Sequence, residues 1–140
     1  MICPVCKQDA LIVEYKNIEL DYCPACHGVW FDSGELEMLL EAAGFGGNNR
    51  FLDAVVLSPE VNITEKKRRC PVCLHKMKKV HIDDEKKIVT DVCAGGHGMW
   101  FDGGEVTSLI KSLAQKAPEK PEYRDVLGFI GEMFKYEAGK

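Results

Sequence analysis

No apolar run in this 140-residue sequence is longer than Ala54-Val55-Val56-Leu57, far below the roughly 20 residues a membrane-spanning helix needs. A soluble protein is therefore expected, with no membrane partner. Aromatic residues make up only 9% of the chain, and none interleaves the basic stretch Lys66–Arg69, so nothing there supports base readout. No secretory leader is expected, since Cys3 follows Met1 so closely, and a reducing cytoplasm is the expected compartment. Cysteine is present, but its count of seven is odd and suits a complete disulfide framework poorly. Disorder throughout is disfavoured by an apolar fraction of 46% with 29% charged residues.

The sequence contains one unit used twice. Cys3-Pro4-Val5-Cys6 returns as Cys70-Pro71-Val72-Cys73, Asp21-Tyr22-Cys23 as Asp91-Val92-Cys93, and Trp30-Phe31-Asp32-Ser33-Gly34-Glu35 as Trp100-Phe101-Asp102-Gly103-Gly104-Glu105. Modules of about 40 residues bury thin cores and usually need a metal or disulfides to stay folded.

In the first unit Cys3, Cys6, Cys23 and Cys26 are spaced C-x2-C-x16-C-x2-C, the pattern of two opposed zinc knuckles. Four thiolates suit a closed, structural tetrahedral Zn²⁺ site. In the second unit Cys70, Cys73 and Cys93 align, but Gly96 stands where Cys26 does and His97 follows. A C-x3-H knuckle, helped by Gly95-Gly96, predicts a Cys3His site. His75 or water as fourth ligand, or an empty site, are the alternatives. Two zinc ions are expected, one per unit.

Between the knuckles Leu11, Val13 and Tyr15 alternate with Ile12, Glu14 and Lys16, and Ile18, Leu20 and Tyr22 with Glu19 and Asp21. This is a hairpin pattern. Met77–Ile82 and Ile88–Val92 repeat it around a polar turn at Asp83–Lys86. Asp32 with Glu35, and Asp102 with Glu105, then read as capping boxes in which each Asp accepts backbone N–H groups of the first turn. Helices should follow on Leu36, Leu39, Leu40 and Ala43 and on Val106, Leu109, Ile110 and Leu113, with stops at Gly44 and Pro118. The expected fold is small α+β and metal-stabilised, with two tandem zinc ribbons, each an antiparallel hairpin with knuckles and a following helix. The boundaries are 1–44 for the first ribbon, 45–66 for a linker, 67–117 for the second ribbon and 118–140 for a helical tail.

Other chemistries fit these motifs less well. The acidic pairs resemble paired catalytic carboxylates, but capping accounts for them and no base or nucleophile accompanies them, so the chain reads as a non-enzyme. Trp30 and Trp100 read as core anchors. Cys23–His27 also satisfies the C-x-x-C-H haem-attachment signature, which would remove two ligands from a well-spaced zinc site and leave His27 as a bystander able to donate to a ligand sulfur. Thioredoxin-type chemistry belongs to C-x-x-C pairs in βαβ folds. Iron in the first site shares the same tetrahedral S4 ligation.

Cys3–Glu35 resembles the transcription factor IIB-type zinc-ribbon domain proteins of bacteria, whose pattern runs C-P-x-C, a hairpin, then D-x-C-P-x-C-x-G-x-W-x-D-x-G-E. Cys70–Glu105 fits it except at the knuckle, where Gly96 and His97 replace the expected cysteine. The resemblance covers about half the chain and implies a zinc-stabilised antiparallel ribbon. In the namesake factor the ribbon docks on RNA polymerase, so it also implies a transcription-linked binding role.

The formal charge is −4, and thiolate ligation of two Zn²⁺ brings the loaded chain to about −7. Broad nucleic-acid binding is disfavoured. Residues 1–35 carry 2 basic and 6 acidic side chains, whereas 66–105 carry 9 and 6. Lys66, Lys67, Arg68 and Arg69, with Lys76, Lys78 and Lys79, could line one side of the second ribbon and attract phosphates or an acidic protein surface. In the tail, Tyr123, Val126, Leu127, Ile130, Met133 and Phe134 recur at helical spacing, either covering the ribbons or supporting self-association. The first expectation is a structural-zinc module that binds a protein partner. The second is a nucleic-acid or RNA-polymerase binder acting through the basic ribbon, and the third a metalloenzyme using an open second site.

Overall fold

The computed structural model describes residues 1–42, 56–61, 67–82 and 88–109. The helix expected at 118–140, the turn expected at Asp83–Lys86, Lys66 and most of the linker at 45–66 lie outside the described residues.

Alternating Leu11–Tyr15 (β1) and Ile18–Tyr22 (β2) pair antiparallel, closing on Tyr15↔Ile18. Lys16 and Asn17 between them both take positive φ (48° and 69°), which gives a two-residue turn the twist its strands need. A third strand, Val29–Asp32 (β3), pairs with β2. The second half repeats this with Lys78–His81 (β4), Val89–Val92 (β5) and Gly98–Phe101 (β6). Each ribbon therefore has the expected hairpin and a third strand beside it. Val29, Trp30 and Phe31 are all buried, and a strand covered on both faces lacks the alternation that marks a half-exposed one.

β3 and β6 pair with each other, giving one six-stranded antiparallel sheet in the order β1-β2-β3-β6-β5-β4. Trp30 sits opposite Trp100, and the flanking pairs Val29↔Phe101 and Phe31↔Met99 exchange equivalent positions of the repeat. The junction is thus a pseudo-twofold axis, and the halves share one sheet.

The two faces of the sheet carry different cores. On one, Leu20, Phe31, Val80, Met99 and Phe101 pack with Leu36, Leu39, Val106 and Leu109. On the other, Trp30, Trp100 and Met77 pack against the cysteines of both units. Helix α1 (Glu35–Ala42) supplies Leu36 and Leu39 to the first core, and residues 105–109 are helical at the equivalent place. Ala43, Ile110 and Leu113 lie outside the described residues.

The caps differ in detail from the expected boxes. Glu35 Oε1 accepts the Asp32 backbone N–H, and Glu105 Oε1 that of Asp102, both at 2.8 Å. The aspartates instead accept the indole N–H of the tryptophan two residues earlier, Trp30 to Asp32 at 2.8 Å and Trp100 to Asp102 at 3.2 Å. A buried indole N–H needs a partner more than a solvent-facing helix start does. Burial pushes the Glu35 carboxyl up to about 7, against the pull of its bond to the Asp32 amide, with Asp32, Asp21 and Glu19 adding to the rise.

Each tryptophan covers a glycine of the other ribbon. A Cβ at Gly28 would lie 2.6 Å from Trp100 Cη2, and one at Gly98 2.6 Å from Trp30 Cζ2 and closer still to the Phe31 carbonyl oxygen. Alanine at either position should lower stability by about 1–3 kcal/mol. Gly98→Ala should be the worse, because a backbone carbonyl cannot rotate away as a side chain can. Urea unfolding of zinc-loaded protein checks this; unchanged midpoints would mean the rings repack freely.

Candidate metal centre

Each site is built from two turns, and the backbone closes three of the four in the same way. The amides of Lys7, His27 and Leu74 bond to the carbonyls of Cys3, Cys23 and Cys70 at 3.1, 2.8 and 2.8 Å, and all three residues take φ near 65°. The fourth turn is tighter: the Gly96 amide bonds to Cys93 O at 2.9 Å and Gly96 takes φ 81°, a conformation glycine adopts without strain. Both second knuckles nevertheless leave at the same point, Cys23 N donating to Gly28 O at 3.0 Å and Cys93 N to Gly98 O at 3.1 Å. Replacing C-x2-C by C-x3-H therefore changes the turn without changing its length.

The ligand atoms of Cys3, Cys6, Cys23 and Cys26 lie within 4.8 Å of one another, as do those of Cys70, Cys73, Cys93 and His97. Sγ–Sγ separations are 3.7 Å for Cys3–Cys26, 3.2 Å for Cys6–Cys23 and 3.7 Å for Cys73–Cys93. Zn–S bonds of about 2.3 Å at tetrahedral angles place sulfurs about 3.8 Å apart, so the thiols already stand near a tetrahedron's edges. His97 turns Nδ1 to 3.3 Å from Cys93 Sγ. Both clusters fit a zinc ion, one per ribbon.

His75 stands outside the second cluster. Its backbone amide bonds Cys73 and, ahead of any other influence, pulls that thiol down to about 6, with its side chain and the Cys93 and Cys70 thiols adding to the fall against burial. Burial pushes Cys70 up to about 11, against the pull of the Cys73 and Val72 amides. In the first site burial raises Cys23, but the Cys26 and Ala25 amides and the Cys6 thiol outweigh it and bring that thiol to about 7. The low-pKa cysteines are the ones a cation deprotonates first. His27 sits 2.6 Å from the Tyr22 hydroxyl through Nδ1, a partner for this bystander that adjacency to the cysteines did not suggest.

The basic patch is smaller than the sequence suggests. Lys79 is buried and its Nζ lies 2.5 Å from Asp91 Oδ1. Arg68 Nη1 holds Asp102 at 2.6 Å and Asp91 at 3.3 Å, and Lys67 pairs with Glu60 at 2.6 Å. Lys78 reaches back to the Val56 carbonyl at 2.5 Å, on the linker segment 56–61, which also bonds β4 through Val61 N to Lys79 O at 2.7 Å. Strand alternation alone forbids Lys78 and Lys79 from sharing a face. The pairs of Lys79 and Arg68 link residues 12 to 34 apart in sequence, so spacing gave no sign of them.

No helix of the described residues is long and apolar enough to cross a membrane. Neither the curated proteins nor the solved structures yield a match to this chain. Residues 2–42 and 69–112 both match the family described as transcription factor zinc-finger, each match spanning one four-ligand cluster and the Trp-Phe-Asp strand that follows it. With more than half its length covered, the chain belongs to the transcription factor IIB-type zinc-ribbon family, in two copies.

Proposed function

We propose that this protein is an interaction module in which Cys3, Cys6, Cys23 and Cys26 hold one structural zinc, Cys70, Cys73, Cys93 and His97 hold the other, and the surface so fixed binds a protein partner. The observation that carries the reading is the convergence of four protein donors at each site. A fully protein-ligated tetrahedral ion leaves no position for a reacting water, which supports a structural role over a catalytic one. Bound zinc would supply no redox chemistry; it would hold four deprotonated donors together. The residues around it contribute the rest. Amides of Val5 and Cys6 point at Cys3 Sγ at 3.4 and 3.5 Å, and that of Val72 at Cys70 Sγ at 3.4 Å, stabilising negative sulfur. The family's description favours a partner in the transcription apparatus.

Metal analysis of untagged protein tests the ligand sets. Two zincs per chain are expected, and in His97→Ala fewer than two or weaker retention of both, since the two sites share one core. Two zincs unaffected by the substitution would restore His75 or water as the fourth ligand and reopen the enzyme reading. A wild-type value near one would mean that the second ribbon is degenerate.

A further inference from the structure

A groove of about 390 Å³ lies between the first knuckle and the strand entry of the second ribbon. Cations from both ribbons line it, Lys7 from the first and Lys67, Arg68, Arg69 and Lys76 from the second, with Pro4 and Val5 as its apolar part and no carboxylate in the lining. We infer that this groove docks a short segment of a partner protein in which acidic side chains flank an apolar one. The inference rests on the interaction-module reading above and gives it a location and a partner chemistry.

The internal repeat shows that the charge is not demanded by the fold. The bridge Arg69↔Lys76 has its counterpart in Ile2↔Asp9, which makes the same antiparallel contact with no basic side chain. Arg69 and Lys76 are both exposed and build charge that the equivalent structure omits. Arg69 Nη1 donates to the Leu74 carbonyl at 3.0 Å and Lys7 Nζ to that of Pro4 at 3.2 Å, so both are steered without losing their charge. Among the described residues, no carboxylate pairs with Lys7, Arg69 or Lys76.

The amount of charge selects the class of partner. Arg68 answers to Asp91 and Asp102, and Lys67 to Glu60, which leaves the groove's uncompensated charge on Lys7, Arg69 and Lys76. Affinity for nucleic acid through phosphates grows with the number of cations that displace counterions, and three cations supply little of it. The lining has no aromatic ring for a base to stack on, and the net charge of the chain is −4. Two or three carboxylates match three cations. An apolar residue between them would meet Pro4 and Val5.

Fluorescence anisotropy on the zinc-loaded full chain tests this with three labelled probes: an octapeptide alternating glutamate and leucine, its glutamine counterpart, and oligothymidylate. The acidic peptide should bind at least about tenfold tighter than either of the others, and more weakly as salt rises. Lys7→Glu and Lys76→Glu should each weaken it about fivefold or more while zinc content and circular dichroism stay unchanged. Loss with Lys76→Glu alone would place binding on the second ribbon and overturn the groove. Preferential binding of oligothymidylate, equal binding of the glutamine peptide, or no binding would overturn it too. In those cases an intact count of two zincs leaves the structural-zinc reading standing, and a failed zinc count would sink that reading by itself.

Discussion

Stripping zinc should unfold both ribbons in one transition, and disabling one site should take the other with it. Zinc binding in small finger domains supplies about 10 kcal/mol, more than a thin core can replace. Here the zinc-side core is shared: Trp30, Trp100 and cysteines from both sites pack in one cluster, and β3 pairs with β6 along four residues each. A ribbon that loses its metal removes its neighbour's central strand partner. Cys6→Ser is the cleanest probe, because Cys6 is only half-buried and its loss removes a ligand more than it opens a cavity. Far-UV circular dichroism should lose well over half of its strand signal, with zinc released from both sites near the same chelator concentration. Retention of half the signal with one zinc would show the ribbons to be independent.

Lys79→Met should destabilise the zinc-loaded protein by about 3–5 kcal/mol, the cost of leaving a buried charge without its main partner. Asp91 and Lys79 are each 3% exposed, directly opposite in the β4–β5 register. Burial raises the Asp91 carboxyl, opposed by Lys79 first and then Arg68, so removing the ammonium leaves desolvation less opposed. The loss should not come from packing, since methionine keeps most of the lysine stem. Combining Lys79→Met with Asp91→Asn should recover at least about 1 kcal/mol relative to the sum of the single changes. Strict additivity in urea unfolding would mean that the pair contributes through shape and not through charge. The first ribbon provides a natural contrast: Asp21 is less buried, and it faces Ile12, which is 69% exposed.

These pairs belong to one line of residues. The register runs Ile12, Asp21, Trp30, Trp100, Asp91, Lys79 across all six strands. Its first three members and its last three are equivalent positions of the repeat, and the chemistry differs only where Lys79 stands in place of Ile12. The repeat was plain in the sequence, yet that line was not, because cross-strand neighbours are joined by strand register and not by spacing along the chain.

What the sequence determined by itself was the local chemistry. Knuckle spacing brings Cys3, Cys6, Cys23 and Cys26 to one point, and Cys70, Cys73, Cys93 and His97 to another, because each knuckle is a turn of fixed length and each hairpin returns the chain to it. Alternation marked β1 and β2, and the Glu35 and Glu105 backbonds followed from the three-residue interval of a helix start. Tertiary structure decided the rest. Val29-Trp30-Phe31 and Met99-Trp100-Phe101 have no alternation to read, since both of their faces are buried, so their strand character and mutual pairing emerge only when the ribbons meet. The same meeting placed each tryptophan over the other ribbon's glycine, withdrew Arg68 and Lys79 into ion pairs, and gathered Lys7 with Arg69 and Lys76 around one groove. Those contacts join residues far apart in sequence, and their energies come from burial and desolvation, which exist only once the two halves are packed.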